Sequence, residues 1–171
     1  YDPPLVLYIK GDISPSDILS MAVVGSRRCT YYGQSQAERI ARLLGQRGFT
    51  IVSGLARGID TAAHQGAIKA KARTIAVMGC GLTRIYPREN RDLAEKITQQ
   101  GAMVSELPLQ TPPDDRNFPP RNRLISGLSL GVVVVEAGLR SGSLITAHWA
   151  LEQGKDVFAV PGQVDSPHSR G

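Results

Sequence analysis

Cysteine is scarce in this chain: Cys29 and Cys80 stand alone among 171 residues, outside any CxxC or Cys/His spacing. No zinc site or other metal site is readable from them, and a reducing cytoplasm is the expected compartment. Long apolar runs are missing too. Stretches such as Gly131 to Val135 fall far short of the ~20 residues a membrane-spanning helix needs, so no membrane role is expected, and no signal peptide is visible. Histidine occurs only as His64, His148 and His168, in no readable Ser/His/Asp arrangement, and packing or surface roles are expected for them. There is no tandem repeat, heptad pattern or low-complexity tract.

What the chain does have is arginine. Lys and Arg number 20 against 15 Asp and Glu, giving a net charge of +5, and fifteen of those cations are Arg. Its planar fork matches phosphate bidentately and stacks on flat rings, so the excess is compatible with an anionic partner. A chain of this length with 42% hydrophobic residues has enough apolar surface for one core. We therefore expect a single domain over residues 1–171, and a fragment of a longer protein.

Short β-branched runs alternate with helical patterns. Met21-Val24, Thr50-Val52, Thr74-Val77, Ala102-Ser105, Val132-Val135 and Val157-Val160 read as buried strands. Helices are predicted over 34–46, 60–71, 88–100, 122–128 and 143–153, with Gly48 closing the first and Asp60 and Ser143 as N-cap candidates. Leu107 to Pro120, with five prolines, reads as a loop over the sheet edge. This order predicts an α/β fold, a mostly parallel doubly wound sheet with helices on both faces. In such sheets ligands bind beyond the carboxyl ends of the strands.

Those ends are rich in glycine, serine and arginine. Gly25-Ser26-Arg27 after the first run offers amides, a hydroxyl and a guanidinium to an anion. Ser53-Gly54, Arg57 and Asp60 follow the second, where Asp60 is expected to be structural and paired with Arg57. The third turn, Gly79-Cys80-Gly81, lacks the last glycine of a dinucleotide fingerprint because Arg84 stands there; Asn90 beyond it is expected to face the cleft. Glu136 ends a buried strand and needs a partner, a cleft arginine being the structural option and an acid or ribose-binding role the functional one. Ser141-Gly142-Ser143 sits at a helix start and offers convergent donors. Finally, Arg116 to Arg123 packs three arginines and Phe118 into eight residues. Beside the first turn, that set suits a strand of phosphates and unpaired bases.

Taken together, Val24-Gly25-Ser26-Arg27 with Thr30 and Gly33, Ser53 through Asp60, Tyr86-Pro87, Asn117 through Leu128, and Glu136-Ala137 through Leu144 resemble the bacterial DNA-processing protein A family, also called Smf. The likeness spans nearly the whole chain. It implies an extended Rossmann-like domain that dimerises, binds single-stranded DNA, and in natural transformation protects incoming strands and helps load the RecA recombinase. Position by position it implicates Gly25, Ser26, Arg27, Phe118, Arg121, Asn122 and Arg123 in DNA binding. Ser53, Gly54, Arg57, Asn90, Glu136, Ser141, Gly142 and Ser143 are the candidates for pocket support. No cofactor and no catalytic residue are implied. Family members often carry a helical N-terminal or winged-helix-like C-terminal domain, and neither pattern is visible here. The rival reading is a nucleotide phosphoribohydrolase-like enzyme acting on nucleoside monophosphates, with Glu136 and Arg121 as its pair, although that family's glycine pattern is absent. A nicotinamide oxidoreductase is disfavoured by the broken fingerprint at Gly79.

Overall fold

In the computed structural model, which describes residues 2–163 and 165–171, β1 is Tyr8–Gly11, β2 Ser20–Gly25, β3 Thr50–Ser53, β4 Thr74–Val77, β5 Ala102–Ser105, β6 Gly131–Val135 and β7 Asp156–Ala159. The helices are α1 Tyr31–Gln46, α2 Ile59–Lys69, α3 Arg91–Gln100, α4 Phe118–Gly127 and α5 Ser143–Glu152. The strands form one sheet in the order β1-β5-β4-β3-β2-β6-β7, parallel throughout except for β1, which pairs antiparallel with β5.

Strand alternation explains why the apolar runs are nearly continuous: both faces are covered. Ala22, Val24, Val52, Val77, Val104 and Val134 point to the face that packs on Leu124 and Ile125 of α4 and Ala150 of α5. Val23, Ile51 and Val135 point the other way, against Ala37 and Ala41 of α1 and Ala62, Ala63 and Ala67 of α2. On that same side Ala76 and Met103 meet Leu93, Ala94 and Ile97 of α3. The small residues let α1 and α2 approach closely, and Gly66 is fitted so tightly that a Cβ there would strike the Glu38 carbonyl oxygen. Among the described residues no helix is long and apolar enough to cross a membrane.

Several expectations need correction. β1 is a strand that the side-chain pattern does not announce. The region 107–120 is not all loop: a 3-10 turn forms over Asp115–Asn117, and α4 opens at Phe118 with prolines in its first turn, where a missing N–H costs nothing. Neither Asp60 nor Ser143 is an N-cap; Gly58 and Gly142 hold those positions. Gly48 does follow the end of α1, with φ of +87°.

At the amino-terminal edge of the sheet Asp17 pins three segments. Its carboxylate accepts from Thr50 Oγ1 at 2.7 Å, from Arg73 Nε and Nη2 at 2.7 and 2.8 Å, and from the Ser14 amide at 2.8 Å. Burial alone would raise its pKa, but the Arg73, Ser14 and Thr50 hydrogen bonds outweigh it and the net shift is downward. A depressed folded pKa means the stabilisation is fully present above the unfolded value, about 3.9, and is lost as pH falls through the folded one. Asp17→Asn is therefore expected to cost about 1.5–3 kcal/mol at neutral pH and to flatten the acid limb of a melting-temperature-versus-pH curve.

From β2 the chain crosses through α1 to β3, β4 and β5 on one side, then returns to place β6 on the other. The strand order thus reverses between β2 and β6, and a crevice opens beyond their carboxyl ends.

Candidate nucleic-acid interface

That crevice holds a cavity of about 870 Å³, walled by Gly25 to Arg28, by Phe118 to Asn122 of α4, and by the segment Gly138 to Thr146 leading into α5. The first wall is locked from two sides. Ser26 N–H donates to the Glu136 carbonyl at 2.8 Å, and the Ile59 amide donates to the Ser26 carbonyl at 3.2 Å. Gly25 admits no side chain, since a Cβ would run into the Val135 carbonyl oxygen and Ile59; a Cβ on Gly58, whose φ is +74°, would strike the Ser26 carbonyl oxygen. The turn is therefore fixed, while Arg27 and Arg28 extend from it into solvent.

Phe118 supports Arg27 rather than standing free. The Arg27 guanidinium lies 5.1 Å from the centre of its ring, the ring packs on Gly79, and Tyr86 lies 5.7 Å away at a tilt of 31°. Arg27 and Phe118 thus line the cavity together, joined by a cation–π contact.

Arg121 lines the cavity but is only 4% exposed. Its Nη1 donates to the Gly54 carbonyl at 3.0 Å and to the Val77 carbonyl, joining the ends of β3 and β4. Asp60 is close by and accepts from the amides of Gly54 at 3.1 Å and Ala56 at 3.4 Å. Burial pushes the Asp60 carboxyl up, with the Arg121 charge opposing it, and burial lowers the Arg121 pKa to about 10. Beneath them His64 is fully buried, hydrogen bonded to Thr74 Oγ1 at 2.7 Å, and burial followed by the Arg121 charge drives its pKa to about 3.

The structure sorts the remaining candidates. Ser141, Gly142 and Ser143 line the cavity at the start of α5, and Asn122 does so while its Nδ2 donates to the Gly142 carbonyl at 3.1 Å. Arg123 does not join them. It faces the opposite side of α4, fully engaged with Glu106 at 2.7 and 3.0 Å and with Asp2 at 2.8 Å. Ser53 is buried and donates to the Val23 carbonyl at 2.7 Å. Asn90 turns away from the cleft, donating to the Leu55 carbonyl at 2.9 Å and to Thr61 Oγ1 at 2.8 Å. Arg57 pairs with Glu89, not with Asp60. Glu136, at φ of +54°, finds Thr30 instead of an arginine. Its carboxylate accepts from the Thr30 amide at 2.8 Å and from the Thr30 hydroxyl, which itself accepts from the Gly33 amide at 3.1 Å to cap α1. It sits where a helix start favours negative charge, outside the cavity, and the geometry offers no Glu136/Arg121 pair to a substrate there.

Arg28, Arg140, Thr146 and His168 also line the cavity. Arg28 and Arg140 lie within the glycine turns that mark the site, and adjacency to Arg27 and Ser141 is their only sequence signal. Among the described residues no group of three or more His, Cys, Asp or Glu is placed to hold a metal ion.

Known proteins share both this sequence and this fold. The model of the family "DNA recombination-mediator protein A" matches residues 1–171. Protein Smf of Escherichia coli is 51% identical over 99% of this chain and 46% of its own length. DNA processing protein DprA of Bacillus subtilis is 48% identical over 100% of this chain and 58% of its own. The chain thus spans about half the length of the curated relatives it matches. DNA processing protein A from Streptococcus pneumoniae superposes with a TM-score of 0.91 at 44% identity, covering 99% of this chain and 59% of that one. DNA processing protein A from Helicobacter pylori, whose structure is described as giving insight into a unique single-stranded DNA binding mode, superposes at 0.89 with 35% identity, covering 99% and 77%. A molybdenum cofactor binding protein from Rippkaea orientalis, at 20% identity and a TM-score of 0.63, shares the fold alone.

Proposed function

This chain belongs to the DNA recombination-mediator protein A family, and from that premise we propose that its switch-point cavity binds single-stranded DNA. The observation that carries the reading is Arg27, projecting from a fixed glycine turn with its guanidinium 5.1 Å from the centre of the Phe118 ring in the wall of the cavity. Arg28 and Arg140 add positive charge to the lining, and Ser141 and Ser143 at the start of α5 add hydroxyls, while the amides of Ser141, Ser143, Leu144 and Ile145 are already engaged within the protein. Such a set takes phosphates whatever the base, while a planar cation stacks on a base that has splayed out of its strand. Duplex DNA hides its base faces, so single strands are preferred. The single-stranded DNA binding mode described for the Helicobacter pylori protein supports the same ligand class.

On this reading the protein is a binding protein and not an enzyme, and Gly25, Ser26, Arg27, Asn122 and the Ser141 to Ser143 segment touch DNA. Phe118 and Arg121 hold that surface in place. Membership of a recombination-mediator family supports the wider role: a cytoplasmic homodimer that protects incoming strands in natural transformation and helps load RecA onto them. The test is fluorescence anisotropy of a labelled oligothymidylate and of a matched duplex at two salt concentrations. The expected result is tighter binding of the single strand, weakened by salt with a log–log slope of about −0.7 per neutralised phosphate. Salt-insensitive binding, or equal binding of the duplex, contradicts the reading.

A further inference from the structure

A second, much smaller hollow of about 10 Å³, too small to enclose a base, adjoins the cavity and shares Arg27, Ala56, Phe118 and Arg121 with it; its own walls are Gly54, Arg57, Tyr86 and Pro87, so a strand would run over it and not into it. Across it the side chains are layered. Arg27 lies over Phe118 at 5.1 Å, Phe118 meets Tyr86 at 5.7 Å, and Arg57 lies over Tyr86 at 5.8 Å. The series runs cation, ring, ring, cation, with Arg121 also 5.9 Å from the Phe118 ring, and leads away from the cavity towards the exposed Arg57. Arg57 is held there by Glu89, and the two side chains are 52% and 54% exposed. An exposed ion pair contributes little to stability and exchanges its partner readily. A phosphate reaching this point would replace the Glu89 carboxylate on the same guanidinium.

We propose that this ladder is an extension of the single-strand site, with DNA leaving the cavity over Arg27, its next base against the Tyr86 edge of the stack and its next phosphate on Arg57. The inference rests on the cavity reading above and adds to it an exit path and a competing internal anion, Glu89. It explains a juxtaposition that core packing does not require: Arg57 is solvent-exposed and its partner comes from the turn that follows Tyr86-Pro87.

The experiment measures affinity for oligothymidylates of increasing length, from a dinucleotide to a dodecanucleotide, in wild type, Arg57→Ala, Tyr86→Leu and Glu89→Gln. Wild-type affinity is expected to keep rising beyond the length that fills the cavity. Arg57→Ala and Tyr86→Leu should each remove about five- to tenfold of that gain, and Glu89→Gln, which frees Arg57, should increase it. Opposite signs that appear only beyond the length that fills the cavity are decisive, because a purely structural pair would make both substitutions act in the same direction and a long-range charge effect would shift the short oligonucleotides as well. Arg57 and Glu89 are exposed enough that neither change threatens folding, so the result does not hang on Tyr86→Leu. Wild-type binding with an unaltered length dependence in the variants would overturn the extension alone. Absence of wild-type binding at every length would overturn the cavity reading and the extension with it.

Discussion

Arg121→Ala is expected to destabilise the protein by about 2–4 kcal/mol, the cost of leaving two buried carbonyls without their charged donor and the Asp60 carboxyl without its neighbouring cation, and to abolish the proposed DNA binding as a consequence. The side chain is 4% exposed and its guanidinium satisfies the carbonyls of Gly54 and Val77 at the ends of two neighbouring strands. Truncation leaves both carbonyls without that donor and leaves Asp60 buried against only two amides. Lysine does not rescue the position, because a point ammonium lacks the planar fork that reaches two acceptors at once. The damage spreads to the proposed DNA site by a short route: the segment Gly54 to Ile59 carries the amide that holds the Ser26 carbonyl. Urea melts of Arg121→Ala, Asp60→Asn and the double variant check this. The double variant should lose clearly less than the sum of the singles, since removing both charges leaves neither one stranded. An Arg121→Ala protein with wild-type melting but no DNA binding would instead make Arg121 a direct ligand.

The buried position of Arg121 marks the point where sequence patterns stop being informative. Strands Thr74–Val77 and Ala102–Ser105 are legible to the residue because burial on both faces forces continuous apolar runs. Tyr8–Gly11 is not, since that edge strand is largely exposed and is held by main-chain pairing to Ala102–Ser105, which leaves no pattern in its side chains. The glycine turns after β2 and β6 fall at the crevice, because tight turn geometry and the glycines that permit it are both local. The fate of the arginines is not local. Arg121 and Arg123 stand two residues apart on α4, and a helix turns them to different sides. The first goes under the cavity, the second towards Glu106 and Asp2, partners 17 and 121 residues away. Asn90 and Glu136 defeat expectation for the same reason: their partners, Leu55 with Thr61 and Thr30, become neighbours only once the sheet has formed. In an arginine-rich chain, the residue type announces anion chemistry, but only the fold decides whether the anion is a phosphate or an internal carboxylate.

Arg27→Ala is expected to show the converse of Arg121→Ala, a large loss of affinity at nearly constant stability. Arg27 is exposed and lies over the Phe118 ring at 5.1 Å, an arrangement worth only about 0.5–1 kcal/mol to folding at an exposed site. The phosphate contact proposed for it is charge-assisted, worth about 1.5–3 kcal/mol, or roughly ten- to 150-fold in dissociation constant. The salt dependence should fall with it, by about 0.7 in log–log slope for one lost phosphate contact. Arg27→Lys separates the two parts of the mechanism. A lysine keeps the charge and should restore the slope, but it lacks the flat face that stacks against a base, so affinity should return only in part. Phe118→Ala completes the set by removing the floor under Arg27 while leaving its charge, and should weaken binding through disorder of the guanidinium with the slope retained. Anisotropy titrations at several salt concentrations, paired with thermal melts of each variant, measure all of these together. If Arg27→Lys binds as tightly as wild type, phosphate contact alone accounts for Arg27 and stacking on its guanidinium plays no part; if Arg27→Ala binds normally, the strand does not pass through this cavity at all.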